Sequence, residues 1–203
     1  RVIGLDSDQT ASPELIFQSD GDITQFSEEL RLNGSTMNMK WVAGFYYLNI
    51  DTEYLQGLAA SPTGGYLAGE EQNTLADIAT DSYSVFGQID YDLDDDLVLV
   101  AGLRLVQENK SLDGQLVQNA NLDDRVIEVD DTATPLVDVA LENDKFMWSA
   151  KLQLDYKPNE DTLLYAGVNR GVKAGNFNAP LGGAFSTYDP EVLLAYEAGA
   201  KLT

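Results

Sequence analysis

From Phe146 to Tyr156 every second residue is apolar (Phe146, Trp148, Ala150, Leu152, Leu154, Tyr156), and those between, Met147, Ser149, Lys151, Gln153 and Asp155, are mostly polar. Period-two alternation places each class on its own face of a strand. A soluble strand typically has about five or six residues, whereas about nine to eleven tilted residues cross a bilayer. Aromatic residues at both ends, Phe146 and Trp148 at one and Tyr156 at the other, stand where such a strand would meet the two membrane interfaces. The pattern predicts the wall of an outer-membrane barrel.

Six further segments predict strands. Ile23 to Leu32 sets Phe26, Leu30 and Leu32 against Gln25, Ser27, Glu29 and Arg31, with Glu28 interrupting the apolar face. Met39 to Ile50 is apolar on both faces, which leaves its orientation open. Ser82 to Leu93 has Tyr83, Val85, Ile89, Tyr91 and Leu93 outward, and Ser84, Gln88, Asp90 and Asp92 inward with Phe86 as the exception. A strand from Leu97 carries Leu99, Ala101, Leu103 and Leu105 outward, with Arg104 and Glu108 inward. Thr162 to Val172 and Glu191 to Leu202 complete the set.

Short turns are predicted at Asn33–Thr36, Asp94–Asp96 and Pro158–Asp161, each containing strong turn formers. The other connections are long: Asp51 to Asp81, Ser111 to Asn143 and Lys173 to Asp189, with Arg1 to Gly21 as the trailing part of another loop. Long loops are uncommon in compact soluble domains. Alternating short and long connections match outer-membrane barrels, whose periplasmic turns are short and extracellular loops long. The expected fold is therefore all-β: about seven strands of an antiparallel up-and-down transmembrane β-barrel, incomplete as it stands.

Composition removes most chemistry. With neither cysteine nor histidine, the chain has no disulfide, no Ser-His-Asp triad and no histidine-based zinc or haem site. No catalytic residue, metal ligand or cofactor is expected, so the chain is not read as an enzyme. A net charge of −22 repels phosphate backbones and argues against a nucleic-acid partner. The acidic stretch between Asp113 and Glu142 lacks the D-x-[DN]-x-[DN]-G spacing of a calcium loop and reads as a solvated face.

Several segments resemble the barrel of TonB-dependent outer-membrane receptors. They are Phe26-Ser27-Glu28-Glu29-Leu30-Arg31-Leu32, Trp41-Val42-Ala43-Gly44-Phe45-Tyr46-Tyr47, Tyr83-Ser84-Val85-Phe86-Gly87-Gln88 leading to Ala101-Gly102-Leu103-Arg104, and Leu164-Tyr165-Ala166-Gly167-Val168. Gly171-Val172-Lys173-Ala174-Gly175-Asn176-Phe177-Asn178, Tyr188-Asp189-Pro190-Glu191 and Tyr196-Glu197-Ala198-Gly199-Ala200-Lys201 follow in order. The resemblance implies that residues 1–203 are a segment of a 22-stranded receptor barrel, with plug domain and terminal strand absent from it. It also implies the outer membrane of a Gram-negative bacterium as location. The partners implied are the TonB system acting through a plug, outer-membrane lipid and lipopolysaccharide, and a small-molecule or metal-chelate ligand such as a ferric siderophore.

On that reading the long loops capture ligand, and Tyr54, Tyr66, Phe177, Phe185 and Tyr188 offer rigid apolar area at a polar surface. Glu29, Arg31, Gln88, Asp90, Arg104, Lys151, Gln153, Glu197 and Lys201 face inward. Among them Arg31, Arg104 and Lys151 are the candidates for attracting an anionic complex. The alternatives are a passive outer-membrane porin, which shares the wall pattern, and a soluble all-β binding module, which would bury the apolar faces against a second sheet.

Overall fold

The computed structural model describes residues 3–6, 15–60, 70–120 and 134–202. The strands are β1 (Ile3–Asp6), β2 (Leu15–Ser35), β3 (Met39–Ala60), β4 (Glu70–Asp94), β5 (Leu97–Ala120), β6 (Val137–Glu142), β7 (Lys145–Asn159), β8 (Thr162–Lys173), β9 (Asn176–Asn178), β10 (Ser186–Tyr188) and β11 (Glu191–Leu202). One antiparallel sheet runs β1-β2-β3-β4-β5-β7-β8-β11, with β6 also paired to β5, and β9 and β10 form a separate small hairpin. No helix is present among the described residues.

Residues paired across strands share a face, so the registers fix which side each side chain occupies. One row of partners is Leu30, Phe45, Val85, Leu105 and Trp148; another is Gly34, Trp41, Ile89, Ala101, Leu152, Val168 and Tyr196. These rows form the apolar face. The intervening rows form the polar face, for instance Arg31, Gly44, Phe86, Arg104 and Ser149. The two-sided segment from Met39 is thereby oriented: Trp41, Ala43, Phe45 and Tyr47 join the apolar face, and Val42, Tyr46 and Leu48 the polar one. Nothing among the described residues packs on the apolar face, where Leu30 is 66% and Leu103 50% exposed. No second layer of the kind a soluble sandwich needs is present there.

The seven expected strands are present, but four of them continue well past their expected ends. Asp51 to Asp81 is not a loop: residues 51–59 pair in register with 71–79, so β3 and β4 run 22 and 25 residues. Ser111 to Asn143 is likewise mostly sheet, since 111–120 continue β5 and pair with β4, and β6 pairs with 111–116. Leu15 to Gly21, assigned to a trailing loop, is the upper part of β2, and β1 pairs with its start. Both faces of these extensions are polar or mixed, so alternation fades while the backbone ladder continues. Backbone pairing needs no apolar face. The first reversal also shifts, from Asn33–Thr36 to residues 36–38. Asn33 and Gly34 remain paired with Val42 and Trp41, and the Trp41 ring covers Gly34, where a Cβ would lie 2.9 Å from it.

β6 and β7 follow one another along the edge of β5, separated only by Asn143 and Asp144. The Asn143 amide donates to the Lys110 carbonyl at 2.9 Å across that break. Lys173 to Asp189, expected as open loop, contains the β9–β10 hairpin, which folds back over the polar face of the extensions. Its Phe177 is buried with Ala76 and Leu112, with Tyr54, Ile78, Val139, Leu141, Ala179 and Phe185 packed around them. The fit depends on glycine. A Cβ on Gly114 would sit 2.6 Å from the Phe185 ring. Gly183, at φ 72°, has no room for one beside Leu116.

Candidate functional site

The polar face carries the chemistry. All nine residues expected to face inward lie on it: Glu29, Arg31, Gln88, Asp90, Arg104, Lys151, Gln153, Glu197 and Lys201. Arg31, Arg104 and Lys151 come together around one depression of about 530 Å³, floored in part by Gly87 and Gly102. Gly102, the register partner of Gln88 and Lys151 on the polar face, keeps the wall low between the cationic side chains. Arg31 pairs with Glu29 at 2.5 Å along its own strand, and both are solvent-exposed. Arg104 lies 5.5 Å from the ring centroid of Tyr46, which holds the guanidinium against the wall without consuming its charge. Lys151 has no carboxylate within ion-pair distance among the described residues. The depression thus offers more positive than negative charge in a protein that is otherwise strongly acidic.

The aromatic candidates are placed differently. Tyr54 is on β3, its hydroxyl donating to the Ala179 carbonyl at 3.1 Å, and burial pushes the phenol above its ordinary pKa. Phe177 and Phe185 are the rings that dock the hairpin, so their apolar area is used within the fold. Tyr188 is 38% exposed on β10. Tyr66 lies outside the described residues. Tyr54 also walls a small polar recess with Ser19, Thr52 and Gln56, above Gly21.

The hairpin is tied down by polar contacts as well. Lys110 Nζ bridges Glu108 at 2.9 Å and the Gly175 carbonyl at 2.8 Å. Asn143 Nδ2 donates to the carbonyls of Asn176 and Tyr188, and Gly182 N donates to Thr74 Oγ1 at 3.3 Å. Lys145 grips Asp189 at 2.8 Å, and that hydrogen bond, with the charge behind it, holds the Asp189 carboxyl below its usual range. Sequence reasoning missed Lys110 and Tyr46. Lys110 sat at a presumed strand end, and Tyr46 in the segment whose orientation was open.

Charge is also divided between the faces. On the apolar side of the sheet, above the apolar rows, Asp22, Glu53, Asp77 and Asp113 are register partners in one row across four strands. Like charges in such positions repel, so the row is held by the strands that carry it. Below it, Phe26, Tyr47 and Tyr83 form an aromatic group with centroids 6.2 and 5.0 Å apart. Tyr91 and Tyr156 lie nearer the short turns. Two aromatic levels therefore bracket the apolar rows, as at the interfaces of a membrane barrel.

Residues 4–203 match the family model of the TonB-dependent receptor-like β-barrel. The chain belongs to the TonB-dependent receptor family. Members are transporters of the Gram-negative outer membrane rather than enzymes. In keeping with this, the fold is like that of the ferric yersiniabactin uptake receptor FyuA from Yersinia pestis, with a TM-score of 0.76 at 17% identity over 95% of this chain. The alignment covers 28% of FyuA, so this chain is a barrel fragment and does not close on itself. A further solved structure, the RagAB peptide transporter, aligns over 77% of this chain and 18% of its own at 10% identity, with a TM-score of 0.36, too low to establish a common fold. In a receptor barrel the apolar face is the outer one and the polar face lines the interior.

Proposed function

We propose that this chain forms part of the wall of an outer-membrane receptor that imports a scarce, bulky, anionic nutrient such as a ferric siderophore. Capture takes place at the extracellular end, and passage through the barrel is energised by TonB through a plug domain. The observation that carries the reading is the convergence of Arg31, Arg104 and Lys151 on one interior depression. Cations on low-dielectric walls focus field lines and raise the local concentration of an anion. FyuA, which shares the fold, is a ferric yersiniabactin uptake receptor. Around this interior path the apolar face meets outer-membrane lipid and lipopolysaccharide.

The test uses the full-length receptor that contains this chain, in a strain lacking other uptake routes and fed ferric siderophores of different charge. Replacing Arg31, Arg104 and Lys151 together by alanine is expected to lower uptake of an anionic complex at least about tenfold, the order that steering charges supply. A neutral complex should be taken up nearly as before. Undiminished uptake of the anionic complex by a correctly inserted variant refutes the role of this cluster.

A further inference from the structure

Both ends of the β9–β10 hairpin are held by donors of the wall. At the entry, Lys110 Nζ donates to the Gly175 carbonyl at 2.8 Å and Asn143 Nδ2 to the Asn176 carbonyl at 3.3 Å. At the exit, the same Asn143 amide reaches the Tyr188 carbonyl at 3.2 Å, and Lys145 Nζ the Asp189 carboxylate at 2.8 Å. The three donors sit together where β6 gives way to β7 beside β5. The four acceptors are all oxygens of the hairpin stem, and one of them is charged.

Lys110 and Lys145 lie on the polar, interior face, where Lys145 is the register partner of Glu108. On the same face, Arg104 of β5 and Lys151 of β7 stand about six residues nearer the short turns, or about 20 Å at the rise of an extended strand. A solute entering from the extracellular end therefore passes the lysine pair before it reaches the lower depression.

The charge balance at this upper level depends on the stem. With the hairpin docked, two lysines face two carboxylates, Glu108 at 2.9 Å from Lys110 and Asp189. Lifting the stem removes Asp189 and three carbonyls at once. That leaves two lysines against one carboxylate, beside the amide of the buried Asn143. Donors stripped of their acceptors cost free energy until a new acceptor arrives, and a carboxylate makes a stronger partner for an ammonium than a carbonyl does. Asp189 is 84% exposed, so its contact is screened and open to exchange.

We propose that Lys110, Asn143 and Lys145 form a binding site for a carboxylate-bearing solute, filled in this structure by the hairpin stem, and that such a solute displaces the stem and frees the hairpin as a lid. The proposal rests on the receptor reading above and adds a charge-triggered release to it. Asp189 is the internal stand-in for the incoming carboxylate. A neutral solute offers the lysines no more than the stem carbonyls already do, so the lid responds to charge. The rings of Phe177 and Phe185 resist, so displacement raises the open population without abolishing the closed one.

The experiment follows amide hydrogen exchange over 174–190 in the full-length receptor, with heat-modifiable migration on gels confirming that each barrel is formed. The probes are tricarballylate, its neutral trimethyl ester, and sodium chloride at the ionic strength of the tricarballylate. Tricarballylate should accelerate exchange over 174–190 about tenfold relative to chloride, the effect of losing charge-assisted contacts that are partly exposed. The ester should leave exchange as it is in chloride. Lys110→Gln combined with Lys145→Gln should exchange fast without any probe and ignore tricarballylate. Asp189→Asn should respond at about fivefold less tricarballylate than the parent, because the internal competitor has lost its charge. Equal or slower exchange in tricarballylate than in chloride, an equal effect of the ester, a double variant that still responds, or an Asp189→Asn variant no more sensitive than the parent overturns the site. Those results leave the uptake test on Arg31, Arg104 and Lys151 standing, because the two experiments share no residue. Conversely, a failed uptake test beside a lysine-dependent response to tricarballylate sinks the import reading and not the site.

Discussion

Phe177→Ala should release the β9–β10 hairpin from the wall without unfolding the wall itself. Phe177 is 8% exposed and shares its cluster with Leu112 and Ala76, so truncation removes a buried ring and leaves a cavity that only the hairpin's own movement can fill. Buried Phe→Ala changes cost roughly 3–5 kcal/mol, and the lower figure suits a small cluster at the periphery of a sheet. The remaining ties, among them the Tyr54 hydroxyl to Ala179, Lys110 to Gly175 and Gly182 to Thr74, contribute on the order of 1 kcal/mol each. A loss of about 3 kcal/mol corresponds to a roughly hundredfold rise in the open population. Amide hydrogen exchange read over 174–190 in the full receptor should accelerate by about that factor. Exchange in β4 and β5 should stay slow, because their ladders are untouched and local opening is separable from global unfolding. Unchanged exchange over 174–190 would refute the argument that this ring docks the hairpin, and uniform acceleration across the sheet would refute its locality.

Three further outcomes are expected. Gly183→Ala should loosen the same hairpin, since φ is 72° and the new methyl would meet Leu116; proteolysis confined to 179–186 is the readout, and a fully resistant variant contradicts it. At Gly44 the Phe86 ring and the Leu30 carbonyl occupy the space a side chain would need, so Gly44→Leu should lower the heat-modification temperature of the barrel, whereas Gly171→Ala, with nothing near, should not. The Lys145–Asp189 contact lowers the Asp189 pKa in the folded state, so its contribution is present above the unfolded aspartate value and is lost as pH falls through the lower folded one. Exchange at the hairpin's exit strand should therefore rise on acidification below the ordinary aspartate range, and Lys145→Gln should abolish that dependence.

The sequence announced the wall wherever its two faces meet different solvents. Between Phe146 and Tyr156, alternate residues must satisfy lipid and water, and the resulting pattern matches β7 to within a few residues at each end. Above that band the constraint disappears. Asp51, Thr52, Glu53 and Tyr54 carry no period, yet they pair in register with residues of β4, because the ladder is made by backbone groups that every such residue possesses. The interior residues were legible for the same reason as the wall: Arg31, Arg104 and Lys151 fall on the polar phase of alternating strands. Their meeting around one depression depends on the stagger between strands, which no single segment records. The fate of Phe177 and Phe185 was also beyond a local reading. Two rings in a Gly- and Pro-rich stretch look like exposed loop aromatics until the opposing surface, with Gly114 and Leu112 at the right places, is known.

The length of β4 and β5 has a consequence for how a nutrient would be caught. At about 3.3 Å per residue, strands of 25 and 24 residues outrun a hydrocarbon layer about 30 Å thick even when steeply tilted. What projects is a stiff palisade already ordered by its own ladder, instead of a fringe of wandering segments. Closing such a surface on a passing molecule forfeits little chain freedom, so more of the contact energy is left as affinity. A receptor that hunts at very low concentrations gains most from this economy of motion.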